Sequence, residues 1–284
     1  MSSKHKNTGR DVSNRILAAI GMAAIAVINL VPFLWGALTS LKTAREVAVY
    51  PPRLFGSVVT GEHYQSVLKG TFGRALINSS LYSVAAIVLG VLCALLIAYA
   101  LTRFKFRGKR LIFLLILFGI PLSMGSAAMV VPNYMMLSSL HMVNRWFTLP
   151  LIYTAYNLPM AVWIMIGGMQ AIPYAIEEAA LIDGASRWYV IFRLIPRLSL
   201  PTMACAALMI FIGAWNEYTV SSVMVNSGEL YPIQVSIYNY IGFFGQEWGP
   251  LTAAATLAVV PILLVFTYLG KFLVSGLVAG AVKG

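Results

Sequence analysis

Apolar residues come in long stretches along this chain, separated by shorter polar segments. Six stretches are long enough to cross a bilayer as helices, at roughly 16–38, 76–101, 111–137, 149–170, 199–219 and 251–275. A hydrocarbon core of about 30 Å requires about 20 apolar residues in a helix, because lipid cannot hydrogen-bond to the backbone. The pattern predicts an all-α integral membrane protein with about six transmembrane helices.

Glycine and proline modify this prediction in the third stretch. Gly119, Pro121, Gly125 and Pro132 indicate a kinked or interrupted helix there, which neighbouring helices can accommodate by satisfying the freed backbone groups. The segment from Thr39 to Ala75 is too polar to span a membrane and is predicted to lie outside it.

Composition and charge agree with a membrane location. Of 284 residues, 60% are hydrophobic and 10% charged, and the mean hydropathy is +0.82. Soluble domains have about 45–50% apolar and about 25% charged residues. The net charge of +11 comes mostly from short basic runs beside apolar stretches, such as Arg103–Arg110. This distribution is typical of a membrane topology signal and not of nucleic-acid binding.

The basic residues also predict an orientation. With the N-terminus inside, fourteen Lys and Arg residues lie on the cytoplasmic side and six outside, as the positive-inside rule favours. We therefore expect a cytoplasmic tail at 1–15, one permease domain at 16–284 and two cytoplasmic termini. The first apolar stretch exceeds the ~7–15 residues of a signal-peptide core, which indicates an uncleaved helix.

The cytoplasmic segment Ala171–Pro201 differs from a simple connector. It is amphipathic, and we predict a short helix, a break at Gly184 and a second helix near the inner membrane surface. Pro173 suits a first helical turn, and Ala180 and Gly184, four residues apart, would form a smooth stripe that another protein could approach. Alternatively, its carboxylates only keep a surface helix in contact with water.

Four segments carry a resemblance to a known family. Glu178–Ser186 resembles the E-A-A-x-x-x-G motif of permeases in binding-protein-dependent ABC importers. Ala98–Arg110, Phe211–Tyr218 and Gly276–Gly284 are similar to segments of the maltose-type carbohydrate permeases. The four segments occur in the family's order and cover nearly the whole chain. Pro196-Arg197 departs from the family pattern, which usually has Leu-Pro at that place.

The resemblance implies a type I ABC importer permease in the plasma (inner) membrane of a bacterium or archaeon. Its implied partners are a second permease subunit, two ATP-binding cassette ATPases and an extracytoplasmic sugar-binding protein. ATP and Mg²⁺ would be bound by the ATPases and no cofactor by this chain. The resemblance also implies that the loop docks on an ATPase as a coupling helix, through Glu177, Glu178, Ala179, Ala180, Asp183, Gly184 and Ala185.

Polar residues near the end of the fifth stretch are candidates for the substrate path. Asn216 can hydrogen-bond to a sugar hydroxyl and Trp215 can stack on a sugar ring, with Glu217 next to them. Asn216 is equally suited to joining helices, and Trp215 to a membrane-interface belt.

The sequence lacks the residues that are characteristic of other function classes. An ion-coupled transporter normally has acidic residues or His deep in its spans, and the first four stretches have none in their middles. All three histidines lie outside the spans, and the sequence contains neither an H-E-x-x-H zinc motif nor a phosphate-binding loop. We therefore predict no catalytic residues and no metal site. A permease for a non-sugar solute, such as a glycerol phosphodiester, remains an alternative within the ABC class.

Overall fold

The computed structural model describes residues 8–124, 126–242 and 245–281. Over these ranges the chain is mainly helical, which confirms the all-α prediction. A π-helical segment, Val190–Leu194, separates α9 from α10, and the two-residue strands β1 (Ile241–Gly242) and β2 (Gly245–Gln246) pair antiparallel. The α-helices are α1 Thr8–Ser40, α2 Ala44–Val47, α3 Glu62–Lys69, α4 Thr71–Arg103, α5 Lys109–Met124, α6 Ser126–Ser139, α7 Thr148–Gln170, α8 Tyr174–Ile182, α9 Arg187–Tyr189, α10 Ile195–Leu198, α11 Leu200–Trp215, α12 Ser221–Met224, α13 Ile233–Tyr238 and α14 Trp248–Ala281.

Four helices in the described ranges are long and apolar enough to cross a bilayer on their own. They cover Asn14–Ser40, Thr71–Arg103, Thr148–Gln170 and Trp248–Phe272, which agrees with the predicted first, second, fourth and sixth spans. The predicted third span corresponds to two consecutive helices, α5 and α6; residue 125 between them lies outside the described residues.

The predicted fifth span, 199–219, is too long. α11 covers only Leu200–Trp215, and the helical run Arg187–Leu198 meets it at an angle of 82°. Only taken together are the two helical runs long and apolar enough to cross a bilayer, and the bend between them is typical of a broken span or a re-entrant loop. At the break, the Ser199 hydroxyl donates to the carbonyl of Ile195 at 2.8 Å, and Pro201 has no N–H to give to the preceding turn.

The chain divides into two compact units. The first contains residues 1–67 and 240–257, and the second contains residues 68–239 and 258–284. In the second unit, α4, α7 and α11 pack against one another. Four small buried residues, Ala86, Gly90, Ala94 and Ala98, recur at every fourth position of α4. A Cβ on Gly90 would lie 2.7 Å from the Ile210 side chain of α11. Small residues let membrane helices approach closely, and these three helices form the frame that holds the loop.

In the first unit, part of the predicted external segment 39–75 is folded by polar contacts. Buried Lys42 donates to the carbonyl of Arg53 at 2.6 Å. The Glu46 carboxylate accepts hydrogen bonds from the Ser57 hydroxyl and from the Ser57 N–H, the latter at 2.7 Å. The Ser57 hydroxyl and N–H lower the pKa of Glu46 to about 2 because they stabilise its charged form.

Candidate functional site

The loop between α7 and α11 has the helix-turn-helix organisation that its sequence predicts. α8 begins after Pro173, whose extended ψ of 132° places it just before the first helical turn and not within it. The side chains of Glu178, Ala179 and Asp183 are exposed, and those of Ala180 and Ala185 are half-buried. The loop therefore presents two exposed carboxylates, Glu178 on the nine-residue helix α8 and Asp183 at its C-cap.

Gly184 ends α8, which corrects its predicted place in a helical stripe with Ala180. Its φ is +87°, a left-handed conformation that side chains with a Cβ disfavour. The N–H of Gly184 donates to the carbonyl of Leu181 at 3.1 Å, and the N–H of Ala185 donates to that of Ala180 at 3.0 Å. This pair of bonds is a Schellman motif, in which the left-handed residue is usually glycine.

The second helix of the loop starts and bends for local reasons. The Ser186 hydroxyl accepts from the N–H of Tyr189 at 3.2 Å and caps α9. Further along, the ring of Pro196 would clash with the Phe192 carbonyl of a regular α-helix. The chain widens into the π-helical segment just before Pro196, where the N–H of Ile195 donates to the carbonyl of Val190. The departure from the family pattern at Pro196 thus coincides with a π-bulge.

Glu177 faces the protein interior, unlike its neighbour Glu178. Its carboxylate lies 2.5 Å from Nε of Arg103, and the exposed fractions of the two side chains are 1% and 10%. The Arg103 guanidinium also donates to the carbonyls of Met169 and Ile172, at 3.2 and 3.0 Å. One arginine at the end of α4 therefore ties α8 to the end of α7.

The importance of Arg103 was missed at the sequence level, where it counts as one basic residue of a topology signal. The amphipathic pattern of α8 did contain an indication that Glu177 and Glu178 have different environments. Two consecutive acids on a helix lie about 100° apart around its axis, so Glu177 and Glu178 cannot both lie at the centre of its exposed face. A buried carboxylate requires a cationic partner.

The three candidate path residues occupy different environments. Trp215 is buried, with 1% of its surface exposed, and it stacks on Phe211 at a centroid distance of 5.3 Å. Asn216 is exposed, and its side-chain amide donates to the carbonyl of Ile212 at 3.0 Å. Glu217 accepts from the N–H groups of Val220 and Ser221 at 2.8 and 2.9 Å. Asn216 is therefore the most exposed of the three in this conformation, and Glu217 is half-buried.

The segment that follows Glu217 is fixed to the beginning of α4. The amide of Asn78 donates to the carbonyls of Glu229 and Tyr231 at 2.8 and 3.1 Å. The Ser79 hydroxyl accepts from the N–H of Ile233 at 2.7 Å, and Tyr82 donates to the carbonyl of Leu230. Non-helical backbone after α11 is thus held by side chains of α4 in place of helical hydrogen bonds.

These features define a multi-span membrane protein with a carboxylate-bearing helical loop anchored on its packed helices. Residues 86–278 match the family described as the binding-protein-dependent transport system inner membrane component, and the chain belongs to that family. The family resemblance carried by the four sequence segments is thereby confirmed.

Three related permeases are similar to this chain over almost their whole length. The chain is 32% identical over 279 residues to the trehalose/maltose transport system permease protein of Thermococcus litoralis, covering 96% of this chain and 99% of the relative. It is 31% identical over 264 residues to a diacetylchitobiose uptake system permease protein of Streptomyces coelicolor, covering 92% and 95%. The sulfoquinovosyl glycerol transport system permease protein of Agrobacterium fabrum is 30% identical over 273 residues, covering 96% and 95%.

A solved structure has the same fold. The chain matches a bacterial ABC transporter involved in the import of the acidic polysaccharide alginate with a TM-score of 0.77 and 20% identity, covering 95% of this chain and 99% of that one. At this identity the match establishes the fold, and it confirms the predicted permease architecture.

Proposed function

We propose that this chain is one permease subunit of an ATP-driven importer for a sugar or oligosaccharide. It would pair with a second permease subunit, two ATPases and an extracytoplasmic binding protein. The observation that carries the proposal is the pair of exposed carboxylates on α8 and at its C-cap, Glu178 and Asp183, beside the left-handed Gly184. ATP and Mg²⁺ would be held by the ATPases.

The Arg103–Glu177 pair suggests how a push on the loop reaches the membrane helices. A force on α8 would pass through the buried ion pair to α4, and through the carbonyls of Met169 and Ile172 to α7. Glu177 would therefore act in coupling by positioning the loop. Glu178 and Asp183 are free to pair with Arg or Lys of an ATPase.

Sugars are the proposed substrate class because the relatives at about 30% identity are named for different sugars and sugar derivatives. A glycerol phosphodiester remains the alternative solute. Asn216 is the proposed contact with the translocation path, since it is an exposed amide at the C-terminal end of the apolar helix α11 and polar residues within membrane helices commonly mark substrate paths.

Purification of the tagged full-length chain from its native membrane tests the proposal. We expect the second permease and the ATPases to be retained, and the reconstituted assembly to hydrolyse ATP faster when a sugar-loaded binding protein is added. Uptake by the chain alone, driven by a proton or sodium gradient, would indicate a secondary transporter. Stimulation by a glycerol phosphodiester and by none of a panel of oligosaccharides would identify the alternative solute.

A further inference from the structure

A basic cavity of about 690 Å³ lies where α4 and α7 end and α5 begins. Its polar walls include Arg103, Lys109, Arg110 and Gln170. All three helix ends belong to the predicted cytoplasmic side, so the cavity would open at the height of the lipid headgroups.

The positive charge of this cavity is only partly compensated within the chain. Arg103 is committed to Glu177, and the Lys109 ammonium donates to the Phe104 carbonyl at 3.4 Å. In the described part of the chain, no carboxylate forms an ion pair with Lys109 or Arg110. The N-terminus of the 16-residue helix α5 adds partial positive charge at the same place. This surface suits a phosphate group.

An apolar groove of about 350 Å³ continues from the cavity along α5 and α7. Phe113, Ile166 and Gln170 line both spaces, and Trp163 and Gly167 line only the groove. Trp163 lies seven residues before Gln170 in α7, a rise of about 10 Å along the helix axis. The groove therefore leads from the headgroup level into the hydrocarbon core.

We propose that the cavity and the groove together bind one anionic phospholipid. Lys109 and Arg110 would hold its phosphate, and an acyl chain would lie against Phe113, Ile166 and Trp163. A soluble phosphate would leave the apolar groove empty, and a zwitterionic lipid has no net charge for the two cations to attract. The inference rests on the membrane placement of the helices and is independent of the transported solute.

Native mass spectrometry of the full-length chain in detergent, titrated with phosphatidylglycerol, tests the headgroup site. We expect the double variant Lys109→Gln/Arg110→Gln to bind phosphatidylglycerol at least roughly tenfold more weakly. The matched control is Lys105→Gln/Arg107→Gln, which removes two charges from the same segment outside the cavity lining. We expect this control to bind as the unmodified chain does.

Gly167→Leu tests the acyl-chain groove. A Cβ at Gly167 meets nothing within 4 Å, and Gly167 lines the groove, so we expect a leucine there to occupy part of the groove. We expect weaker phosphatidylglycerol binding in this variant and unchanged, weak binding of glycerol 3-phosphate.

Three results with the isolated chain would overturn the lipid site. The first is an equal loss of binding in both double variants, and the second is equal affinity for phosphatidylcholine. The third is displacement of the lipid by equimolar glycerol 3-phosphate, which would identify a soluble phosphate as the ligand. The assembled importer should also retain the lipid; its absence there would assign the cavity to a partner subunit instead.

Discussion

At the residue scale, the contrast between Glu177 and Glu178 separates a positioning role from a contact role. The two residues are adjacent and chemically identical, yet one is paired with Arg103 in the interior and the other is exposed. Removing one partner of a buried ion pair leaves an uncompensated charge, which typically costs about 3–5 kcal/mol. An exposed carboxylate contributes little to stability by itself.

We expect Glu177→Gln to lower the free energy of unfolding by about 3 kcal/mol or more. Glu178→Gln should change it by less than about 0.5 kcal/mol but should weaken sugar-stimulated ATP hydrolysis in the assembled importer. Denaturant titration in detergent measures the first effect, and ATPase assays of the reconstituted complex measure the second. Equal stability of the two variants would contradict the proposed role of the ion pair.

Gly184 combines a backbone requirement with an open surface. Its left-handed φ disfavours most side chains, and a Cβ there meets nothing within 4 Å of this chain. The start of a side chain at this position therefore meets no other part of this chain, and we expect a large residue to act mainly against a partner.

We expect Gly184→Trp to insert into the membrane normally but to lose sugar-stimulated ATPase activity and uptake together. Gly184→Asn, whose side chain tolerates the left-handed region, should retain most of the coupling. Gly184→Ala separates the two causes, because it strains the backbone with almost no added bulk. If Gly184→Ala loses ATPase stimulation and uptake as completely as Gly184→Trp does, backbone strain and not a close contact is responsible for the loss.

For Asn216, we predict that replacement by Leu reduces sugar uptake while the complex with the ATPases remains intact. Leu removes a solvent-accessible amide beside the end of α11. Asn216→Gln keeps an amide one methylene further out and should retain part of the uptake. Normal uptake kinetics in Asn216→Leu would remove this residue from the proposed path.

At the element scale, the contact between α7 and α11 depends on glycine. A Cβ on Gly168 would lie 2.3 Å from the hydroxyl oxygen of Thr202 and 2.7 Å from its Cβ. The adjacent Gly167 faces open space. The two positions lie one residue apart in the same helix and differ mainly in what surrounds them.

We expect Gly168→Ala to destabilise the protein by about 1–3 kcal/mol through overpacking. Gly167→Ala should have no such cost and should gain about 0.5–1 kcal/mol from the better helix propensity of alanine. Thermal unfolding of the two variants in the same detergent provides the comparison. Equal melting temperatures would show that α7 and α11 separate easily at this contact.

At the scale of the whole molecule, α1 differs from the other long helices. Among the described residues, none in the most apolar window of α1 is buried. A helix that is apolar on all sides and unburied can be covered by lipid or by another subunit. The proposed second permease subunit is consistent with this exposure.

The orientation of the whole molecule is also open to a direct test. We expect Val59→Cys, at a position with 78% of the surface exposed, to react with an impermeant thiol reagent in intact cells. Lys105→Cys should react only after the cells are permeabilised. Both variants are made in a chain whose Cys93 and Cys205 are replaced by serine. Labelling of Lys105→Cys in intact cells would invert the predicted topology.

The sequence by itself determined the features that depend on local composition. Apolar stretches of about 20 residues located four helices that are long enough to cross a bilayer, because lipid allows few other structures. The loop between α7 and α11 was also predictable, since Gly184 and Ser186 act through their own backbone and neighbours. The four family segments are likewise continuous pieces of chain, so the sequence alone was sufficient to indicate the permease family.

The tertiary structure decided what depends on residues far apart in the chain. The partner of Glu177 lies 74 positions away, and no periodicity in α8 specifies that the partner is Arg103. The length of α11 was overestimated because apolar content does not reveal that Asn216 is the C-cap residue of the helix. Nor does it reveal that the Glu217 carboxylate accepts from the N–H groups of Val220 and Ser221. The lipid cavity combines the ends of three helices, so its charge and shape exist only when α4, α5 and α7 are packed together.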